Sequence, residues 1–179
     1  MTKIKFSFFA ILILLGCANR GTPTGGEIDL DPPIVLKSFP ENFSTNFNSE
    51  NNEIIFDEYV RLNNIQKELI ISPPIEPQPL IMPMGSASKV LTISDYDSLK
   101  KNTTYSFHFG ESIEDNNEKN VLSNYRYVFS TGNYIDSLMV KGNVTDAFER
   151  EISENINVLL YEIDSSYTDS VVYSKKPKY

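Results

Sequence analysis

Side chains able to do chemistry are few in this chain. One cysteine, Cys17, and one histidine, His108, stand among 179 residues. That leaves no raw material for a structural zinc site or a disulfide framework, and it confines imidazole catalysis to one position. Alternation puts His108 on the strand face opposite Tyr105, Phe107 and Phe109, where a surface role is expected. No serine or threonine sits in a nucleophile elbow, and a Ser-His-Asp set would have to be built around His108 alone. Asp57 and Glu58 adjoin on a strand and should point to opposite faces, which argues against paired carboxylates for glycoside hydrolysis. Asp95 and Asp97 share a face, but in a turn-like, solvated segment. Calcium favours hard oxygens on a flexible loop, so in Asp115-Asn116-Asn117-Glu118 the candidate metal ligands are Asp115, Asn117 and Glu118. The competing reading is a hairpin turn using Asp and Asn for backbone reasons, since the spacing is not that of an EF-hand loop. No cofactor and no enzymatic activity are expected.

The formal net charge of -8 makes nucleic acid a poor partner, because affinity for phosphate comes mainly from Lys and Arg. Hydrophobic residues at 40% supply a core, and charged residues at 22% are too sparse for a wholly disordered chain. At the N-terminus Lys3 and Lys5 precede an apolar run from Phe6 to Leu15, broken only by Ser7. This charged-then-apolar layout is that of an export signal, and the run is too short for the roughly 20 residues a spanning helix needs. Leu14, Leu15, Gly16 and Cys17 then resemble the lipobox of bacterial lipoproteins. That resemblance implies lipidation of Cys17 as the mature N-terminus and a membrane as partner through the lipid anchor. Removing residues 1–16 takes away Lys3 and Lys5, leaving 14 basic against 24 acidic residues, or -10. Such a chain is not expected to adhere to anionic lipid. Ala18 to Glu27 read ANRGTPTGGE, with nothing to bury, as a tether does. Ala18 stands where an Asp would suggest inner-membrane retention in some gram-negative bacteria, and no acidic cluster follows at once, as surface-export signals of other groups would require. An outer-membrane, periplasm-facing location is therefore expected, with surface exposure as the alternative.

Beyond the tether the pattern is that of strands. Ile, Val, Thr, Tyr and Phe abound, and only Ala18, Ala87 and Ala147 represent alanine in the mature chain. Alternation is clearest over Thr104–Phe109 and Tyr125–Ser130, the latter with Tyr125, Tyr127 and Phe129 inward. Further strands are expected at Ile34–Phe39, Glu53–Tyr59, Glu68–Ser72, Pro79–Met84, Lys89–Ile93, Leu138–Lys141, Ile156–Ile163 and Ser170–Ser174, with one helical turn near Asp95–Lys100. Proline, glycine and asparagine fall between these runs at short intervals, which argues for an antiparallel sandwich or barrel.

Leu99-Lys100-Lys101-Asn102-Thr103-Thr104-Tyr105 resembles the Leu, x, Pro, x, Thr, x, Tyr signature of Ig-like and fibronectin-type sandwiches, with Lys101 at the proline position. It implies a tyrosine corner at Leu99, Thr103 and Tyr105, the Tyr hydroxyl reaching back to a backbone group upstream. Asp31-Pro32-Pro33-Ile34-Val35, Ser38-Phe39-Pro40, Ile54–Glu58, Leu99–Phe109, Ile113–Asn116 and Phe129–Gly132 together resemble the bacterial Ig-like domain first named from an S-layer protein. Ser137–Asp146 and Asn157–Tyr161 are similar to the opening of a carboxypeptidase-regulatory or transthyretin-like domain. The 43 residues from Ser137 to Tyr179 are too few for an independent sandwich, so this second domain is expected to be truncated.

The expected fold is therefore all-β: an Ig-like antiparallel β-sandwich after an N-terminal lipoprotein signal peptide, with an incomplete second β domain at the C-terminus. Its parts are a signal peptide at 1–16, a lipidated Cys and tether at 17–30, the sandwich at 31–133 and the truncated domain at 134–179. Ser98, Ser137 and Ser170, each between Asp and an apolar residue, resemble the acceptors of bacterial O-glycosylation. Lys175-Lys176-Pro177-Lys178 offers a basic patch to an acidic partner, or simple solvation of a chain end. The expected function is a non-enzymatic, lipid-anchored cell-envelope protein whose sandwich is a spacer or adhesion module. The alternative is a module binding an envelope protein or glycan through loops at one end of the sandwich.

Overall fold

A computed structural model describes residues 26–96, 99–138, 140–148, 156, 158–163, 165, 167–175 and 177. The strands are β1 (Val35–Phe39), β2 (Asn51–Leu62), β3 (Ile70–Ser72), β4 (Leu80–Met82), β5 (Ser88–Ser94), β6 (Thr104–His108), β7 (Ile113–Asp115) and β8 (Arg126–Ser130); the helices are α1 (Ile65–Glu68) and α2 (Val171–Ser174). One sheet has the order β1-β2-β5-β4, with β7 also on β2, and the other has the order β3-β6-β8. All these pairings are antiparallel. Leaving β7 aside, the division into four strands and three is that of a constant-type Ig sandwich. The all-β, Ig-like expectation therefore holds.

Period-two patterning builds the core from both sheets. Ile54, Phe56 and Val60 of β2 and Leu91 and Ile93 of β5 face Tyr105 and Phe107 of β6, Phe109, and Tyr127 and Phe129 of β8, all at most 1% exposed. Phe129 is the hub of the aromatic packing. Its ring lies 4.1 Å from Phe47 in a stacked pair, with Tyr105, Phe107, Tyr96 and Tyr127 at 5.6 to 6.1 Å.

The first strand region serves both sheets. β1 pairs with β2, and the segment after it moves to the other sheet through a parallel bridge between Ser44 and Phe129. Backbone bonds from Phe43 to Val128, from Phe47 to Ser130 and from Ser130 back to Ser44 cover the outer edge of β8. The Asn42 side chain secures the switch, its Oδ1 accepting from the Val128 N–H at 2.8 Å and its Nδ2 donating to the Arg126 carbonyl at 3.0 Å.

Several local expectations are corrected. Ser170–Ser174 is not a strand, because Val171–Ser174 is helical: Tyr173 N–H bonds Ser170 and Lys175 N–H bonds Val171, local partners that need no neighbouring strand. The described residues of Leu138–Lys141 and Ile156–Ile163 form no strand either; Met139 and Asn157 lie outside the described residues. Asp95, Tyr96, Leu99 and Lys100 are not helical, Asp95 having a left-handed φ of 63°, and Asp97 and Ser98 are outside the described residues. The helical turn is α1 instead, so the strand expected from Glu68 begins only at Ile70.

Phe129→Ala is expected to cost about 3–5 kcal/mol, the range for emptying a buried aromatic site. Phe39→Ala, at a residue 55% exposed, should stay within about 0.5 kcal/mol. Urea unfolding of the chain lacking residues 1–17 measures both; equal midpoints for the two variants would refute the assignment of Phe129 as hub.

Candidate functional site

Tyr105 lies at the start of β6, just after the crossing from β5. Its ring is 1% exposed and its hydroxyl accepts the Lys100 N–H at 2.8 Å. Leu99 is half-buried and packs against the core, and the Thr103 hydroxyl donates to the Lys101 carbonyl at 3.0 Å. Thr131, at the end of β8, accepts the Thr103 N–H on its hydroxyl at 3.0 Å and donates to the Lys100 carbonyl at 2.6 Å. The crossing is therefore tied to both strands beside it, and the residues meeting there do structural rather than chemical work.

Asp115 ends β7 and is 1% exposed. Its Oδ1 accepts from the backbone N–H groups of Asn117 at 2.6 Å and Glu118 at 2.7 Å, and its Oδ2 accepts from that of Asn120 at 2.7 Å. Asn117 and Glu118 thus meet Asp115 through backbone donors, as in a turn built around an Asp. Among the described residues no group of three or more His, Cys, Asp or Glu side chains is arranged to hold a metal ion. Burial raises the Asp115 pKa, but bonds from the backbone at Asn120, Glu118, Asn117 and Lys119 outweigh it, and the net position is below the ordinary carboxylate value. Glu58 is shifted the other way, first by burial and then by the carboxylates of Asp115, Asp57, Asp29 and Glu118. Asp57 is exposed and Glu58 half-buried. The Asp57 carboxylate accepts the Ile34 N–H at 2.8 Å, a structural use.

His108 is half-buried and accepts the Gly110 N–H on Nδ1 at 3.3 Å. Ser137 and Ser170 are exposed. Leu14, Leu15, Gly16 and Cys17 lie outside the described residues, as does Ser98. Among the described residues, surface grooves open along the sheet edges. One of about 560 Å³ lies between β3 and β4, lined by Ile65, Leu69, Ile71, Leu80, Ile81 and Met84 among others. Another, about 640 Å³, runs beside β1 with Leu36, Lys37, Phe39, Glu41 and Tyr125 among its lining.

A polar relay that sequence reasoning missed crosses the core. Tyr96 donates its hydroxyl proton to Asn52 Oδ1 at 2.6 Å, Asn52 Nδ2 donates to the Tyr127 hydroxyl at 2.6 Å, and Tyr127 donates to the Pro40 carbonyl at 2.8 Å. Asn52 is fully buried. The available signal was parity: Asn52 shares the inward face of β2 with Ile54 and Phe56, so its amide had to find partners inside. Burial pushes the Tyr127 pKa up to about 12, with the Asn52 bond pulling the other way. Burial and then the Tyr127 charge push Tyr125 up to about 12, and the same causes raise Tyr96.

These shifts set two opposite pH responses. A phenol whose folded pKa is raised contributes stability that is whole below its unfolded value of 10.0 and fades as pH climbs through its folded value, for Tyr127 and Tyr125 about 12. Absorbance of tyrosinate should therefore show these tyrosines ionising late, with unfolding, and simple titration of every tyrosine near pH 10 would contradict the relay. Asp115 behaves oppositely. Its contribution is present above the unfolded value of 3.8 and lost as pH falls through the depressed folded value. Asp115→Asn should cost about 1–3 kcal/mol at neutral pH, a gap that closes in acid. Melts across pH test this, and a gap that persists undiminished in acid would rule out the charged carboxylate as its source.

Among the comparisons with known proteins, no curated protein was found to match. The family model described as a bacterial Ig-like domain matches residues 29–131. That match covers more than half of the chain and contains all eight strands, β1 to β8, so the chain belongs to the bacterial Ig-like domain family.

Proposed function

We propose that this is a lipid-anchored protein of the bacterial cell envelope whose Ig-like domain is a non-enzymatic spacer, joining a lipid on Cys17 to the segment 134–179. The observation that carries the reading is the path of the chain. The segment after β1 runs parallel to β8 along its edge, so the polypeptide comes in and goes out in the same direction. A module threaded in this way keeps the anchor and the C-terminal segment apart. Family membership supports a structural or adhesion-type role. The lipobox-like Leu14-Leu15-Gly16-Cys17 and the tether after it support the anchor, since the acyl chains of such an anchor bury enough methylenes, at about 0.8 kcal/mol each, to hold a protein on a bilayer. Ala18 after the cysteine supports the outer membrane, and the lack of acidic residues directly after it supports the periplasmic face.

Lipid labelling of the full chain in its own host, with membrane fractionation and proteolysis of intact cells, tests the proposal. The wild type should be labelled in a globomycin-sensitive manner, sediment with membranes and resist added protease. Cys17→Ala should lose label and sedimentation together. An unlabelled wild type would defeat the anchor, and digestion in intact cells would move the protein to the outer face.

A further inference from the structure

A row of large apolar side chains stands outside the sandwich along its first edge: Ile28 at 76% exposure, Leu30 at 80%, Ile34 at 59% and Leu36 at 62%. Hydrogen bonds to its main chain hold this row in place. The Asp29 carbonyl accepts from Asn120 Nδ2 at 3.0 Å, the Ile34 N–H donates to Asp57 Oδ1 at 2.8 Å, and the Asp57 N–H donates to the Ile34 carbonyl at 3.1 Å. With the main chain held there, these side chains stand exposed at the domain's surface. Exposed apolar residues gathered on one edge mark a surface that something covers.

The length of chain before the row says what covers it. Nine residue steps separate Cys17 from Gly26, a span of at most about 30 Å even fully extended. We infer that this edge rests on the bilayer, so that the domain reclines along β1 rather than standing on its end. The inference depends on the proposed lipid anchor at Cys17. Once the lipid holds the chain, the row is confined near the surface at high local concentration, and weak apolar contacts suffice to dock it. Acidic residues adjoin the row, namely Glu27, Asp29, Asp31, Glu41 and Asp57. They oppose anionic lipid and favour a zwitterionic surface. The groove beside β1, with Phe39 at 55% exposure and Lys37 5.2 Å above its ring, extends the same edge. A reclining spacer would separate the segment 134–179 from the anchor along the membrane surface rather than away from it.

Cys17 is the chain's single cysteine, and lipidation would consume it, so an introduced thiol labels uniquely. The mature protein purified with its lipid, carrying Leu30→Cys, Leu36→Cys or Met84→Cys labelled with an environment-sensitive fluorophore, is reconstituted in phosphatidylcholine vesicles containing spin-labelled lipid. Met84, 64% exposed, follows β4 at the opposite edge of the sheet. Quenching at positions 30 and 36 but not at 84, lost in the Leu30→Cys protein when Leu36→Asp and Ile34→Asp are added and weakened by phosphatidylglycerol, is the expected result. Lipidated protein with none of the probes quenched would overturn the docking and leave the anchor standing. Equal quenching at all three positions would overturn the choice of edge. Mature protein from its own host that carries no lipid on Cys17 would overturn the anchor and, with it, the docking.

Discussion

The two sheets are held in one relative position by the relay through Asn52. Apolar packing alone tolerates small slides of one sheet over another, since many arrangements bury similar area. A buried amide does not, because an amide without partners costs about 1–3 kcal/mol for each group left unpaired. Asn52 belongs to the β1-β2-β5-β4 sheet and Tyr127 to the β3-β6-β8 sheet. Their bond of 2.6 Å therefore sets the separation and register of the layers. Tyr96 before it and the Pro40 carbonyl after it complete the donors and acceptors in one direction. The same relay fixes the loop between β5 and β6 and the switch of the first strand region from one sheet to the other.

Other polar side chains that look suited to chemistry also serve the backbone. The Tyr105 hydroxyl, both oxygens of Asp115 and the Asn42 amide each meet main-chain groups that turns or strand edges would otherwise leave unpaired. The carboxylates of Asp57 and Glu68 do likewise for Ile34 and Glu111. This use of charge and hydroxyl fits the proposed structural role of the domain.

The proposed spacer role depends on how the chain passes through. β1 and β7 lie end to end along the same edge of β2, with β5 on its other side. The β7 hairpin therefore occupies the part of the edge that a longer first strand would take, and the incoming chain is pushed outward past Asn120. That detour explains why Ile28, Leu30 and Ile34 face away from the core although their residue types would favour burial. The outgoing chain leaves β8 beside the crossing from β5 to β6, where the Asp136 N–H donates to the Thr104 hydroxyl at 2.8 Å.

The sequence by itself determined what repeats over short distances. Alternation in Thr104–Phe109 and Tyr125–Ser130 gave strands with Tyr105, Phe107, Phe109, Tyr127 and Phe129 inward, since side chains in a strand face alternate sides whatever lies opposite. The lone cysteine and the lone histidine limited the chemistry by composition. Only the tertiary structure decided what depends on distant partners. Asn52 and Tyr127 are 75 positions apart, and no local pattern reveals that they bond. The segment Ser170–Ser174 reads as a strand from its β-branched residues, yet its backbone closes its bonds locally as a helical turn. Asp115 carries the same residue type whether it binds a metal or a backbone, and the three N–H groups that meet it come into position only when the β7 hairpin forms.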